Sequence, residues 1–258
     1  MFRFFKKKKP LEEEIKIKEP QDYTHIELIA NYFKNETGVT FDNQVSILQN
    51  KVTTFCRLRN ISSFEKLLNT IEHDKSLKQE LTDYLTTNET FFYREFKQIA
   101  ELSELVKKAH RHVEILCAPS ATGEEPYSIA IALLEAGVAS NQFSITGIDI
   151  NSDALKKAER AIYRERNVRN LTPEIISKYF LKNENLYTLN TDIKLLVTFK
   201  LTNLFDPSFK SLGKFDFIFS RNMLIYFDKE TKLKAKKILE DMRKDDKQAV
   251  FFGHADLF

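Results

Sequence analysis

Five short runs dense in β-branched and aromatic residues punctuate the second half of the chain: "VEILCAP" (113–119), "FSITGIDI" (143–150), "LLVTFKL" (195–201), "FDFIFS" (215–220) and "AVFFGH" (249–254). Near-continuous apolar runs of this length, separated mostly by segments of helical period, predict parallel strands covered on both faces by helices. The expected class is therefore α/β, with a doubly wound sheet. Ligands of such sheets sit beyond the carboxyl ends of the strands, so the residues just after each run are where chemistry is expected.

What precedes the runs has a different rhythm. Residues 1–20, "MFRFFKKKKPLEEEIKIKEP", place a lysine run and an acidic run ahead of any regular pattern and read as a flexible arm. From 21 to 85 the apolar residues fall at helical spacing. Ile26, Ile29, Ala30 and Phe33 precede a stop at Gly38, and Val45, Leu48, Val52 and Phe55 form a second set. Ser63 caps a third helix through Phe64, Leu67, Leu68 and Ile71, and Leu77, Leu81 and Tyr84 mark a fourth. This stretch carries no strand signal, so an all-α N-terminal domain is expected before an α/β domain at 86–258.

Composition narrows the function classes. With 258 residues, 42% of them hydrophobic and 30% charged, the chain can bury a large core. No apolar run approaches a membrane span and no signal peptide is evident, so a cytoplasmic protein is expected. A net charge of +3 is too small to argue for nucleic acid. Cys56 and Cys117 fall in a helical and a buried-strand segment, so core packing is expected rather than a disulfide or a metal site.

The first run ends in "APSATGEEP". A dinucleotide fingerprint needs several glycines and backbone N–H groups facing a pyrophosphate, whereas this loop has Gly123 followed by Glu124 and Glu125. Carboxylates repel pyrophosphate and attract an ammonium or sulfonium, so a cationic, nucleoside-bearing ligand fits better than NAD. Acids in a first helical turn also favour the helix dipole, which accounts for one of the pair more readily than for both. Asp149 ends the second run, where an acid can accept both hydroxyls of a ribose, although strand-terminal Asp residues often cap the next helix and Asn151 and Ser152 compete for that role. "FDFIFSRNMLIYFD" offers Arg221, Asn222 and Tyr226 after its strand, and "KLTNLFD" offers Asn203; a turn residue and a core aromatic are the plain alternatives for Asn222 and Tyr226. In "TTNETFFYRE", Arg94 follows three aromatics and could present a guanidinium to a carboxylate.

In this order, "TTNETFFYRE", "APSATGEEPYSIAI", "GIDINSDALKKAERAIYR", "FDFIFSRNMLIYFD" and "FFGHADLF" resemble the motifs of the CheR family, the chemotaxis-receptor glutamate methyltransferases. The resemblance runs from about Thr86 to Phe258. It implies a Rossmann-like class I methyltransferase sheet with a small antiparallel β-subdomain at about 181–202, and S-adenosylmethionine as cofactor with S-adenosylhomocysteine as product. By the same resemblance Asn88, Thr90 and Arg94 contact the cofactor and Glu125 faces its methionine part. Asp149 holds the ribose, Asn203 and Leu204 lie near the adenine, and Arg221 and Asn222 border the cofactor. Arg94 and Tyr226 lie closest to the transferred methyl. The implied activity is esterification of glutamates on membrane chemoreceptors. Such a carboxylate is already ionised at neutral pH, so orientation and exclusion of water, rather than a strong general base, are expected to carry catalysis.

The family further implies docking on receptor methylation helices, for which Lys51, Arg57, Arg59 and Lys66 are candidates, although a solvated basic face has the same composition. Three departures qualify the likeness. The glycine loop carries Pro119 and Ala121 where relatives often have small or hydroxyl residues, a change expected to preserve the turn. The segment between Phe180 and Asn203 is short and lacks glycine, unlike members that grip a receptor's C-terminal pentapeptide, so recognition without that tether is expected. The sequence stops soon after "GHADLF", where relatives add final antiparallel strands, so a bare sheet edge is expected. A monomer without membrane insertion is anticipated. The alternative from another class is a non-catalytic module that senses the cofactor or its product. Methylation of nucleic acid is disfavoured by the modest charge and the lack of an N-P-P-Y pattern.

Overall fold

The computed structural model describes residues 21–248 and 250–256; the arm expected at 1–20 lies outside them. The chain opens with helices α1 (Ile26–Thr37), α2 (Val45–Leu58), α3 (Phe64–His73) and α4 (Lys75–Leu85). Gly38 ends α1 at φ 77°, with its N–H on the carbonyl of Lys34. Ser63 Oγ accepts the Lys66 N–H and the Asp74 carboxylate accepts the Leu77 N–H, which caps α3 and α4. The apolar stripes of the four helices converge on Ile29, Phe33, Leu48, Val52, Phe55, Leu67, Ile71 and Leu81, a fully buried core of their own.

Helix α5 (Phe96–Ala109) leads into β1 (Val113–Cys117), α6 (Glu124–Glu135), β2 (Phe143–Asp149) and α7 (Ser152–Arg160). A small insertion follows: β3 (Ile162–Arg164), α8 (Glu165–Val168), α9 (Pro173–Tyr179), β4 (Phe180–Asn183), β5 (Leu186–Leu189) and α10 (Thr191–Lys194). The chain then returns through β6 (Val197–Leu201), β7 (Phe217–Ser220), α11 (Lys229–Asp241) and β8 (Val250–Phe252). The large sheet has the order β6-β2-β1-β7-β8 and every pairing in it is parallel. Its strands are the five apolar runs of the sequence. β1 and β7 are buried at nearly every position, as a sheet covered on both faces requires.

The second sheet, β3-β5-β4, is antiparallel, and its position corrects the range expected at about 181–202. Its third strand comes from upstream, at Ile162–Arg164. Val197–Leu201 does not belong to it, because Val197 pairs with Ile145 and Leu201 with Asp149 in the parallel sheet. Strand period is the same in either sheet, so the sequence pattern carries no information on which partner a strand selects. The β4–β5 hairpin turns through Glu184, at φ 52°, and Asn185 without a glycine.

The four leading helices sit against the carboxyl end of the large sheet. Lys34 Nζ lies 2.6 Å from Asp228 Oδ2, and Asn203 Nδ2 donates to the Glu36 carbonyl at 2.5 Å. Gln79 donates to the Ile150 carbonyl, while the Asp83 carboxylate accepts from both the N–H and the hydroxyl of Ser152. These contacts close one side of the ligand crevice of the sheet.

Candidate active site

A cavity of about 610 Å³ opens at the carboxyl ends of β1, β2, β6 and β7, a size suited to one small-molecule ligand. Asn88, Thr90, Arg94, Glu125, Asp149, Asn203, Leu204, Arg221, Asn222 and Tyr226 all line it. Sequence positions spread over more than half the chain therefore meet around one space.

The glycine loop forms its floor. Gly123, at φ 91°, caps α6, and a Cβ there would come within 2.9 Å of the Ala158 Cβ, so the loop can turn this tightly only with glycine. The two acids that follow part company. Glu124 is fully buried and points away from the cavity, accepting from the Thr122 hydroxyl at 2.6 Å and from Asn167 Nδ2 at 2.7 Å. Burial pushes its carboxyl up to about 7 against those hydrogen bonds. It is the first residue of α6, as expected of a helix-start acid, but it acts as a buried tie to the insertion. Glu125 faces the cavity. Arg221 Nε donates to Glu125 Oε2, while Oε1 is buried with no hydrogen-bond partner. Burial raises the Glu125 carboxyl above its ordinary value and the Arg221 guanidinium pulls it back.

Asp149 is the last residue of β2. Its Oδ1 accepts the Asn151 N–H at 2.8 Å and its Oδ2 the Ala121 N–H at 2.9 Å, which leaves each oxygen a second lone pair for a ligand. Burial lifts it to about 6 against these N–H groups. Asn151, not Asp149, caps α7 by accepting the Ala154 N–H. Asn203 is spoken for structurally: beyond its bond to Glu36, its Oδ1 accepts the Phe205 N–H.

Arg94 lies in a backbone held out of its ordinary conformations. Tyr93 and Glu95, on either side, have φ 56° and 50°, left-handed values that cost bulky residues on the order of 1–3 kcal/mol each. The Tyr93 N–H is fixed on Ser128 Oγ, and Arg221 Nη1 donates to the Arg94 carbonyl at 2.8 Å. Phe92 is fully buried against Tyr163 and Phe180, while Phe91 carries the guanidiniums of Arg169 at 3.7 Å and Arg94 at 5.7 Å from its ring centre. The aromatics thus anchor the segment and leave Arg94 at the cavity. Tyr226 is 36% exposed; burial raises its hydroxyl pKa, with Arg94 opposing.

Two features of the site carry little sequence signal. The loop between α1 and α2, residues 39–44, forms a wall of the cavity, pinned by the Thr40 N–H on the Tyr226 carbonyl at 2.8 Å. The Glu125–Arg221 pair joins the first turn of α6 to the segment after β7, 96 residues further on. Adjacency of an acid and a base after two different strands was the only available hint. Of the candidate docking cations, Lys51 lines the cavity and lies over the Tyr84 ring, Arg57 lies over the Tyr23 ring, Arg59 pairs with Glu80 at 2.7 Å, and Lys66 is on α3.

Residues 88–258 match the family model described as CheR methyltransferase, SAM binding domain. The chain belongs to the CheR methyltransferase family. It is 38% identical to a chemotaxis protein methyltransferase of Campylobacter jejuni over 86% of this chain and 84% of that one. Proteins of the same description from Salmonella typhimurium and Escherichia coli are 30% and 29% identical over 91% of this chain and 84% of theirs. The CheR cofactor, S-adenosylmethionine, fits the residues present: the unpartnered Glu125 Oε1 suits a cationic methionine end, and Asp149 at a strand tip suits a ribose. Neither acid would tolerate a pyrophosphate in the same place.

Proposed function

We propose that this chain is a protein-glutamate O-methyltransferase that esterifies glutamate side chains of membrane chemoreceptors from the cytoplasmic side. The observation that carries the reading is the pairing, in the lining of one cavity, of a buried acceptor without a partner, Glu125 Oε1, with the guanidinium-bearing Arg94. The first fits a cationic cofactor and the second an anionic acceptor.

Bound S-adenosylmethionine would supply an electrophilic methyl. Glu125 would hold its ammonium end, Asp149 its ribose, Asn203 and Leu204 the neighbourhood of its adenine, with Asn88, Thr90, Arg221 and Asn222 completing the wall. Arg94 orients the incoming carboxylate as a bidentate donor and abstracts no proton, since the acceptor is ionised at neutral pH. Tyr226 closes the methyl side, and its hydroxyl stays protonated because its pKa is raised further. Orientation and exclusion of water supply the rate, with positioning contributing at most roughly 7–11 kcal/mol.

Residues 21–85 act in this reading as the receptor-facing helical domain and 86–258 as the catalytic domain, with Lys51, Arg57, Arg59 and Lys66 meeting acidic methylation helices. Charge reversal at Arg57 and Arg59 should weaken receptor methylation and leave cofactor binding intact. The glycine-free, two-residue β4–β5 turn supports recognition without a C-terminal pentapeptide; binding of an isolated receptor-tail peptide at micromolar or tighter affinity overturns that part. None of the helices described is long and apolar enough to cross a membrane. The deciding experiment incubates the protein with labelled S-adenosylmethionine and chemoreceptor-bearing membranes. Base-labile label released as methanol marks carboxyl esters. Cofactor binding without any transfer would replace the enzyme by a sensor of S-adenosylmethionine.

A further inference from the structure

Among the described residues of the motif "FFGHADLF", 251–256, none lines the cavity, yet Asp256 is completely buried. Asp256 Oδ2 accepts the N–H groups of Asn222 and Gly253, and Oδ1 accepts that of Leu224 at 2.8 Å. Two of these donors belong to the segment that ends in Tyr226, and Asn222 is held there at φ 59°. No ion pair among the described residues offsets the charge of Asp256, and burying a carboxylate without a cation is costly. Burial accordingly raises its pKa. A neutral amide would be cheaper to bury but offers one acceptor atom for donors that need two.

The same short turn reaches the other reactive segment. The His254 N–H and ring Nδ1 lie 3.3 and 2.9 Å from Glu95 Oε2, beside Arg94, and Gln98 Nε2 donates to the Phe252 carbonyl at 2.8 Å. Gly253 permits the approach: a Cβ there would meet the Asn222 nitrogen at 2.9 Å.

We infer that Asp256 is a positioning residue for methyl transfer, acting through the backbone of Asn222 and Leu224 to fix Tyr226 relative to Arg94. The inference rests on the functional reading above. If Asp256 works through Tyr226, removing both must cost no more than removing one, because residues that act as a unit are not additive.

The test measures kcat on chemoreceptor-bearing membranes, S-adenosylhomocysteine affinity by calorimetry and melting temperature for Asp256→Asn, Tyr226→Phe and the double variant. Asp256→Asn should lower kcat by roughly 10- to 100-fold while product affinity stays within about threefold. The double variant should be no slower than the slower single one. Multiplicative losses, or a loss of affinity that matches the loss of kcat, overturn the inference. If Asp256→Asn does not fold, Gly253→Ala takes its place, since it displaces the turn and keeps the carboxylate; the same non-additivity with Tyr226→Phe is expected, and additivity overturns the inference. A wild-type protein that transfers no methyl sinks the functional reading alone. The positioning claim is then decided by the ring resonances of Tyr226 with S-adenosylhomocysteine bound, which should shift in the variant; unchanged resonances overturn it.

Discussion

Glu125 and Asp216 are both buried carboxylates paired with cations, one at each end of the parallel sheet, and they are treated in opposite ways. Asp216 precedes β7 at the end remote from the cavity. Its Oδ2 accepts the Glu114 N–H at 2.7 Å and Lys244 Nζ at 2.9 Å, and Arg111 Nη2 forms an ion pair with Oδ1 at 2.7 Å. Burial pushes its carboxyl up, but Arg111, Lys244 and the Glu114 N–H together outweigh burial and hold it below the ordinary value. Glu125 has a single ion-pair partner, itself buried, and its Oε1 has neither hydrogen bond nor ion pair, whereas Asp216 Oδ1, which also lacks a hydrogen bond, keeps the Arg111 ion pair; the Glu125 pKa ends up raised. The far end of the sheet satisfies its charge for stability. The near end leaves an acceptor open, which costs folding energy and makes sense only if a ligand fills it.

Substitutions can break this comparison. The largest effect is expected from Arg94→Ala, which should lower turnover by roughly 10²-fold through loss of acceptor orientation, with cofactor affinity changed by less than about threefold. Equal losses in a methyl-transfer assay and in calorimetry would remove Arg94 from the acceptor side. Next, Glu125→Gln should weaken cofactor binding by roughly tenfold or more, since it removes the carboxylate that faces the cavity. Asp216→Asn, whose cations are partly exposed, should cost about 1–3 kcal/mol of stability and leave cofactor affinity alone. A change in affinity in the Asp216 variant would mean that the two ends are not separate.

Two titrations sharpen the contrast. An ionised Asp149 suits ribose hydroxyls, so cofactor affinity should fall as the pH drops through about 6, by about tenfold per unit below it. Asp149→Asn should bind more weakly and without that dependence. The smallest effect concerns Glu124, raised from 4.5 to about 7. A raised folded-state pKa means its contribution to stability is fully present below 4.5 and is lost as the pH rises through about 7. Glu124→Gln should therefore flatten the pH dependence of the melting temperature between pH 5 and 8. Asp216, whose folded pKa is depressed, has the opposite slope: its contribution is present above the unfolded value and is lost as the pH falls through the folded one.

The sheet was legible because burial on both faces writes itself into sequence as apolar runs, and all five runs became its strands. The helical unit was legible for the same reason, down to Ser63 and Gly38 at its helix ends. The cavity residues were legible where they follow a strand or a glycine loop, as Glu125, Asp149 and Arg221 do. Three things were not. The pairing of β3 with β5 depends on long-range register, which strand period does not encode. The wall formed by residues 39–44 depends on how α1 meets the sheet, and nothing local in Val39 or Thr40 announces it. The two adjacent acids look alike in sequence, and only the placement of Asn167 and Arg221 sends Glu124 inward and Glu125 to the cavity.

Gly38 sets a limit on how this protein can be recombined. A methyl group at that position would lie 2.5 Å from the Phe205 ring and 2.9 Å from the Thr231 side chain, so the end of α1 and the surface beneath it are matched more finely than one carbon atom. Residues 21–85 therefore cannot be traded between relatives as a free cassette. A chimera would inherit a foreign helix end over a resident Phe205 and Thr231, and with it a shifted cavity wall at Thr40. The two halves of the chain are expected to change together or not at all.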